Sequence, residues 1–117
     1  MGLNYISGSI VVGQTTSNAL ILGENKTPLG ITTGSNITAT ALTFLVSTDG
    51  LTYYPLYDNT STEVSLTVTT AARAYSMQPL NTWSWRYLKV REGNSASAVA
   101  QKTVDTLFTL VTGKLAP

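Results

Sequence analysis

The stretch Leu42-Thr43-Phe44-Leu45-Val46-Ser47 decides the fold class, because its side chains alternate between two kinds of environment. In an extended strand, Leu42, Phe44 and Val46 lie on one face, and their neighbours lie on the other. The run Val64–Thr69 repeats the pattern, with three apolar residues that alternate with Ser and Thr. One apolar and one polar face are typical of antiparallel sheets that cover a core on one side.

Short runs of this kind recur along the whole chain, and each ends at Gly, Asn, Asp, Pro or Ser. They predict nine strands, at 4–12, 18–23, 28–33, 40–48, 52–57, 63–69, 73–77, 85–92 and 104–112. Many short strands at regular spacing favour an all-β fold, an antiparallel β-sandwich or jelly-roll-like domain of eight or nine strands over residues 1–117. We expect the core to contain Phe44, Val46, Leu66, Val68, Leu88, Val90, Leu107 and at least one of Trp83 and Trp85.

The composition excludes several classes of function. Only 11% of the 117 residues are charged, the net charge is +1, and 20 Thr and 11 Ser supply most of the polar surface. A nucleic-acid binder would need a concentrated positive field. Cys and His are absent, which removes thiolate and imidazole metal sites and Ser-His-Asp triads. We therefore predict no enzymatic activity, no cofactor, no metal and no nucleic-acid partner.

Membrane association is also not predicted. No apolar run has the length of a membrane span. The first residues lack the positive and apolar regions of a signal peptide. We expect a product made in the cytoplasm.

The segment Ser47-Thr48-Asp49-Gly50 predicts a hairpin, because Asp-Gly supplies the positive φ angles of a type I′ turn. The alternative is a cation site formed by Ser47, Asp49 and Asp58. Calcium needs six to eight oxygens and usually several regularly spaced carboxylates. We therefore interpret both aspartates as turn formers.

The segment Trp83–Arg91 is the densest cluster of large side chains in the sequence. Alternation places Trp85, Tyr87, Lys89 and Arg91 on one face of a strand. Interleaved aromatic and cationic groups are typical of sugar or phosphate binding. The structural alternative is a core strand whose long side chains pair with Glu63, Glu92 or Asp105, and a third use is a protein interface.

Several motifs together resemble a known group of proteins: Gly13–Asn18, Ile21–Gly23, Pro28–Ile31, Leu42–Gly50, Pro55–Asp58, Arg86–Gly93, Ser95-Ala96 and Leu107–Val111. Over about residues 10–112 the chain resembles small all-β proteins encoded by tailed bacteriophages and prophages, often among the virion structural genes. This resemblance implies a virion component. The strand Arg86–Val90 also resembles discoidin-type β-sandwiches, which bind sugars or lipid head groups.

From this resemblance we expect a capsid decoration, or cement, protein on the outer surface of the virion. Its partners would be the major capsid protein and further copies of itself, as a dimer or trimer. The alternative is a tail or fibre domain that binds host glycans through Trp83, Trp85 and Tyr87. The candidate interface residues are Leu3, Tyr5, Ile6, Trp83, Arg91, Lys102 and Leu115.

Two features support these candidates. The terminal segments, 1–9 and 113–117, carry apolar residues that are costly to leave in water, so we expect them to act as assembly arms. Loops vary most freely in shape, which favours the Asp49-Gly50 turn, residues 81–83 and the 91–101 loop as contacts. We expect Arg91 and Lys102 to pair with carboxylates on the capsid.

Overall fold

The computed structural model describes residues 3–23, 26–68, 72–76, 85–102 and 104–114, and these residues form strands and loops without any helix. In that part of the chain, therefore, no helix is long and apolar enough to cross a bilayer. The strands are β1 (Leu3–Ile10), β2 (Leu20–Ile21), β3 (Lys26–Thr33), β4 (Ala41–Ser47), β5 (Tyr54–Pro55), β6 (Ser65–Thr67), β7 (Ala74–Ser76), β8 (Tyr87–Glu92) and β9 (Thr106–Lys114). Each predicted strand overlaps one of these nine, and the predicted all-β class is confirmed.

The strands form two antiparallel sheets. The first sheet has the order β1-β9-β3-β7, and the second has the order β2-β8-β4-β5, with β6 also paired to β4. The two ends of the chain meet in the first sheet, where Leu3 pairs with Gly113 and Ile10 pairs with Thr106. From Leu3 onward, the segment predicted as an N-terminal assembly arm is therefore part of strand β1, which pairs with β9 of the same chain.

The core lies between the inner faces of the two sheets. Phe44 pairs with Val90 and Val46 pairs with Leu88 across β4 and β8, and all four side chains are buried. The first sheet contributes its own buried side chains, namely Ile10, Ile31, Phe108 and Leu110. Among the predicted core residues Val68 is also buried, and Leu66 and Trp85 are half-buried and pack against the core. Trp83 lies outside the described residues.

The core assignment of Leu107 is wrong, since this side chain is 65% exposed. The run Leu107–Val111 has apolar residues at both strand parities, so alternation alone does not choose its inner face. The choice is made by packing: Phe108 pairs with Gly8 on β1, and a Cβ built on Gly8 would lie 2.4 Å from the Phe108 ring. Gly8 thus leaves the space that the buried ring of Phe108 fills, and Leu107 turns outward.

The predicted type I′ turn is also wrong. A type I′ turn needs positive φ at both central residues, but only Gly50 of the Asp49-Gly50 pair has one, at +79°. The connection from β4 to β5 is a longer loop, 48–53, held by the Asp49 carboxylate. Its Oδ1 accepts hydrogen bonds from the backbone N–H groups of Leu51 and Thr52, at 2.8 and 3.0 Å. Asp49 therefore forms a turn, as predicted, but of a different kind.

Candidate interaction surface

The outer face of the first sheet is a broad surface without charge. The strand register places Ser7, Thr109 and Thr32 in one row across β1, β9 and β3, and Tyr5, Val111 and Gly30 in the next row. We define the outer face by the described side chains that this register points away from the core: Leu3, Tyr5, Ser7, Ser9, Gly30, Thr32, Ala74, Ser76, Leu107, Thr109 and Val111. None of them is charged.

Three large apolar side chains of the outer face are exposed to solvent. Tyr5 is 68% exposed, Leu107 is 65% exposed and Leu3 is 47% exposed. Burial of a side chain of this size against a partner contributes about 1.5–3 kcal/mol when it is complete. A partner could therefore bury apolar area of the outer face without removing any charged group of this face from water.

A shallow depression of about 350 Å³ lies on the outer face, at the end of the sheet that carries Leu107. Its lining combines the hydroxyl-bearing row Ser7, Thr109 and Thr32 with Leu107 and the adjoining backbone of Gly8 and Gly34. Hydroxyl groups both donate and accept hydrogen bonds, so this row matches neutral polar groups of either kind. The described lining therefore offers hydrogen bonds and apolar contact without charge.

Arg91 lies in strand β8 and not on an exposed loop, so the expectation that it is available to a partner is wrong. The residue is 8% exposed, and its Nη2 lies 2.5 Å from Oε2 of Glu63. Its Nε donates to Oγ1 of Thr43 at 3.0 Å, and that hydroxyl donates to the carbonyl of Gly93 at 2.8 Å. The structural alternative, a pairing of this strand with Glu63, is the arrangement observed.

The other long side chains on this face of β8 are also engaged within the chain. Nζ of Lys89 lies 4.5 Å from the centroid of the Tyr53 ring. Burial raises the pKa of the Tyr53 hydroxyl above its ordinary value. Tyr87 packs against Gly50, where an added Cβ would lie 3.3 Å from the ring. Trp85 precedes the strand and packs on the core, so these described rings do not form an open stacking platform.

Glu92 was considered in the sequence only as a possible partner for the long side chains of this strand, but the structure places it in the core. It is fully buried, and its Oε1 accepts the backbone N–H groups of Thr38 and Ala39 at 2.8 and 2.9 Å. Beside it, Gln101 is 2% exposed, and its Oε1 accepts the hydroxyl of Thr38 at 3.1 Å. The signal was present in the alternation, because Glu92 shares its parity with the buried Leu88 and Val90. The network joins the 34–40 loop to the chain before β9.

Two further carboxylates, those of Asp49 and Asp58, hold turns. Hydrogen bonds from backbone N–H groups lower the pKa of Asp49, and the bond from Thr52 has the largest effect. The pKa of Asp58 is also lowered, mainly by the hydrogen bond from the Thr60 hydroxyl and then by those from neighbouring backbone N–H groups. The Asp58 Oδ1 accepts from the N–H groups of Thr60 and Thr62 at 2.8 and 3.0 Å. Among the described residues no three acidic side chains gather into a metal-binding group.

The other candidate interface residues fall into three groups. Leu3, Tyr5 and Lys102 are exposed. Ile6 is half-buried and packs against the core from the inner side of β1. Trp83 and Leu115 lie outside the described residues. In the predicted 91–101 contact loop, 94–98 is exposed, whereas Arg91 and Gln101 are buried.

The fold is shared with a solved prophage protein. No protein-family model and no curated protein matches the sequence. The structure of the SPBc2 prophage-derived protein YomS matches with a TM-score of 0.54 at 10% identity, over 97% of this chain and 96% of that chain. This similarity shows a common fold over nearly the full length of both chains.

Two further solved structures match at a lower level. A chain of Bacillus endospore appendages, which form disulfide-linked pili, matches at a TM-score of 0.39 and 12% identity, over 98% of this chain and 87% of that chain. A chain of the cyanophage Pam1 capsid asymmetric unit matches at a TM-score of 0.39 and 18% identity, over 98% of this chain and 86% of that chain. At this TM-score neither similarity demonstrates a common fold.

Proposed function

We propose that the protein is a structural component of a phage virion that decorates the capsid and binds the outer surface of the major capsid protein lattice. It acts by mechanical reinforcement and catalyses no reaction. The protein would be made in the cytoplasm of the host bacterium and would need no cofactor.

The uncharged outer face is the observation that carries this proposal. Copies packed side by side on a shell repel one another when they are strongly charged, and this face carries no charge among its described side chains. Its exposed Leu3, Tyr5 and Leu107 supply apolar area, and a weak contact repeated over a shell acts through multivalency. The fold shared with a prophage-derived protein, and the motifs that resemble virion proteins, support the phage setting.

Capsid binding by the outer face is tested with purified capsids of the phage or prophage that encodes the chain. Leu107→Glu places a charge on the outer face, on the central strand β9, at a position that is 65% exposed, where the fold tolerates it. We expect loss of capsid occupancy, measured by co-sedimentation, and loss of the added heat resistance of the particles. Tyr54→Glu, at a position on β5 of the second sheet that is 63% exposed, is the matched control and should bind normally.

Normal capsid occupancy of the Leu107→Glu variant would contradict the proposed contact surface. Failure of the wild-type protein to bind capsids, together with its recovery in purified tails, would contradict the capsid role and favour the glycan-binding alternative. In that case Trp83→Ala would remove attachment to host cells while particle heat resistance stayed normal.

A further inference from the structure

Among the described residues, strand β1 is the longest edge strand of either sheet. The other edge strands among the described residues, β2, β5, β6 and β7, are only two or three residues long, whereas β1 has eight. Natural edge strands are commonly blunted by charge, proline, a bulge or short length. The segment Leu3–Ile10 has no charged residue and no proline, and its register with β9 runs without a bulge.

The hydrogen bonds show which backbone groups of β1 point away from its neighbour β9. The N–H of Ser9 donates to Oδ1 of Asn18 at 3.0 Å, and its carbonyl accepts the N–H of Asn18 at 3.3 Å. Leu107 on β9, which pairs with Ser9, accepts the N–H of Gly34 at its carbonyl, on the side of β9 that faces β3. Residues of the same parity as Ser9 therefore direct both backbone groups to the open edge. These are Leu3, Tyr5 and Ser7. The side-chain amide of Asn4 can donate locally to the carbonyl of Leu3, at 3.1 Å, whereas no described residue pairs with the edge-facing groups of Tyr5 and Ser7.

Asn18 limits how another strand can pair with this edge. It bonds both backbone groups of Ser9 as a neighbouring strand would. An incoming strand can therefore pair only with the edge-facing groups of Leu3, Tyr5 and Ser7, which are centred on Tyr5. A second copy of β1 that runs antiparallel about a two-fold axis presents the same three residues. With Tyr5 opposite Tyr5 of the second copy, and Leu3 opposite Ser7 of the second copy, every edge-facing donor meets an acceptor. The carbonyl of Leu3 then exchanges its local contact with the Asn4 amide for the N–H of Ser7 of the second copy.

We propose that two copies of this chain pair through β1, in antiparallel register centred on Tyr5, and so join their first sheets into one continuous sheet of eight strands. The occupant is a second copy because the edge is complementary to itself in length, hydrogen-bonding pattern and charge. Two copies of an uncharged strand can pair without electrostatic repulsion, whereas like charges facing each other across the pair would be destabilising. The pairing also brings the two Tyr5 rings side by side on the outer face.

The dimer does not depend on the proposed capsid role, since two copies can pair whether or not they bind a shell. Loss of dimers and loss of capsid occupancy are separate measurements on the same protein. A wild-type protein that forms the dimer and fails to bind capsids would leave this inference standing.

The register is tested with two double variants that differ only in the sign of one introduced charge. Leu3 faces Ser7 of the second copy with Cβ atoms about 5 Å apart, whereas the same two positions within one strand are about 13 Å apart. The variant L3K/S7E therefore creates two opposite-charge pairs across the interface, and L3K/S7K creates two like-charge pairs. The mass of each protein is measured by light scattering after size-exclusion chromatography.

We expect twice the 12.5 kDa mass of one chain for the wild-type protein and for L3K/S7E, and the mass of a single chain for L3K/S7K. Tyr5→Pro removes only an N–H that points to the open edge and should also give single chains. Circular dichroism verifies that each variant is folded. A monomeric wild-type protein at sub-millimolar concentration, or the same mass for both double variants, would overturn the inference.

Discussion

At the scale of the residue, the pairing of Arg91 with Glu63 shows how the chain uses its few charges. The two side chains are 9% and 14% exposed, and the guanidinium also donates to Thr43. A buried ion pair adds little net stability compared with apolar residues, but loss of one partner leaves an uncompensated charge. The pair fixes the turn before β6 against strand β8.

Removal of one member of this pair should therefore cost more than removal of both. We expect Glu63→Ala to lower the free energy of unfolding by about 3 kcal/mol, because the buried guanidinium of Arg91 then has no counter-charge. The double change Glu63→Ala and Arg91→Met should recover part of this loss. Urea unfolding followed by fluorescence measures both values. A loss below about 1 kcal/mol in the single variant would mean that water solvates Arg91 well.

The turn carboxylates Asp49 and Asp58 should make stability depend on pH in the acid range. Their pKa values are lowered in the folded chain, so their contribution is complete above the ordinary aspartate pKa and is lost as the pH falls through the lowered folded values. We expect the thermal midpoint to fall in that window. In the variant Asp49→Asn/Asp58→Asn, which keeps an accepting oxygen at each turn, the fall should be smaller. An identical acid dependence of the two proteins would argue against this role.

At the scale of the element, strand β9 shows what the sequence alone could not decide. The positions of nine strands follow from alternation and turn residues, and the inner faces of β4 and β8 follow in the same way. In Leu107–Val111 both parities are apolar, and the inner face depends on the fit of Phe108 over Gly8, a contact between residues far apart in sequence. The sequence likewise left Glu63, Glu92 and Asp105 open as partners of Arg91, because the choice depends on a contact between residues far apart in sequence.

Two leucines of β9 provide a matched test of its orientation. Leu110 is fully buried, whereas Leu107 is 65% exposed. We expect Leu110→Ala to lower the free energy of unfolding by about 2–5 kcal/mol and Leu107→Ala by less than about 0.5 kcal/mol. Chemical denaturation of the two variants gives the comparison directly. Equal losses would place Leu107 in the core after all.

The loop after β8 depends on a close backbone approach at Gly93. This residue has a φ of +87°, and an added Cβ would lie 2.4 Å from the carbonyl oxygen of Ser97. Gly13 has nearly the same φ, +88°, with nothing within 4 Å of its Cβ position. We expect Gly13→Ala to cost about 1 kcal/mol and Gly93→Ala to cost clearly more, since the clash adds to the backbone strain. Thermal unfolding distinguishes them, and similar losses would show that the 94–98 loop yields freely.

At the scale of the whole molecule, the candidate surface was only partly predictable from the sequence. Low charge and apolar N-terminal residues indicated an interface, and Leu3 and Tyr5 are indeed exposed. The sequence did not indicate that they share a face with Leu107, because that neighbourhood exists only once β9 lies between β1 and β3. It also did not show that Arg91 is buried, because Glu63 is brought to it by the fold.

Binding through an uncharged face should be insensitive to salt. We expect capsid occupancy to change less than about twofold between low and half-molar sodium chloride, because screening acts only on charged contacts. Co-sedimentation over this range measures the dependence. A steep loss of occupancy at high salt would point to the exposed Lys102 and other surface charges as the main contacts.

The pairing of β1 with β9 has a consequence for synthesis on the ribosome. Leu3 pairs with Gly113, far along the chain, and β3 also pairs with β9. The first sheet therefore cannot close until residues 106–114 have left the exit tunnel. Strand β1 stays unpaired while residues 11–105 are synthesised, and polysomes hold many such nascent chains close together. A chain cut short before β9 would keep that strand exposed and should be a target for chaperones and proteases.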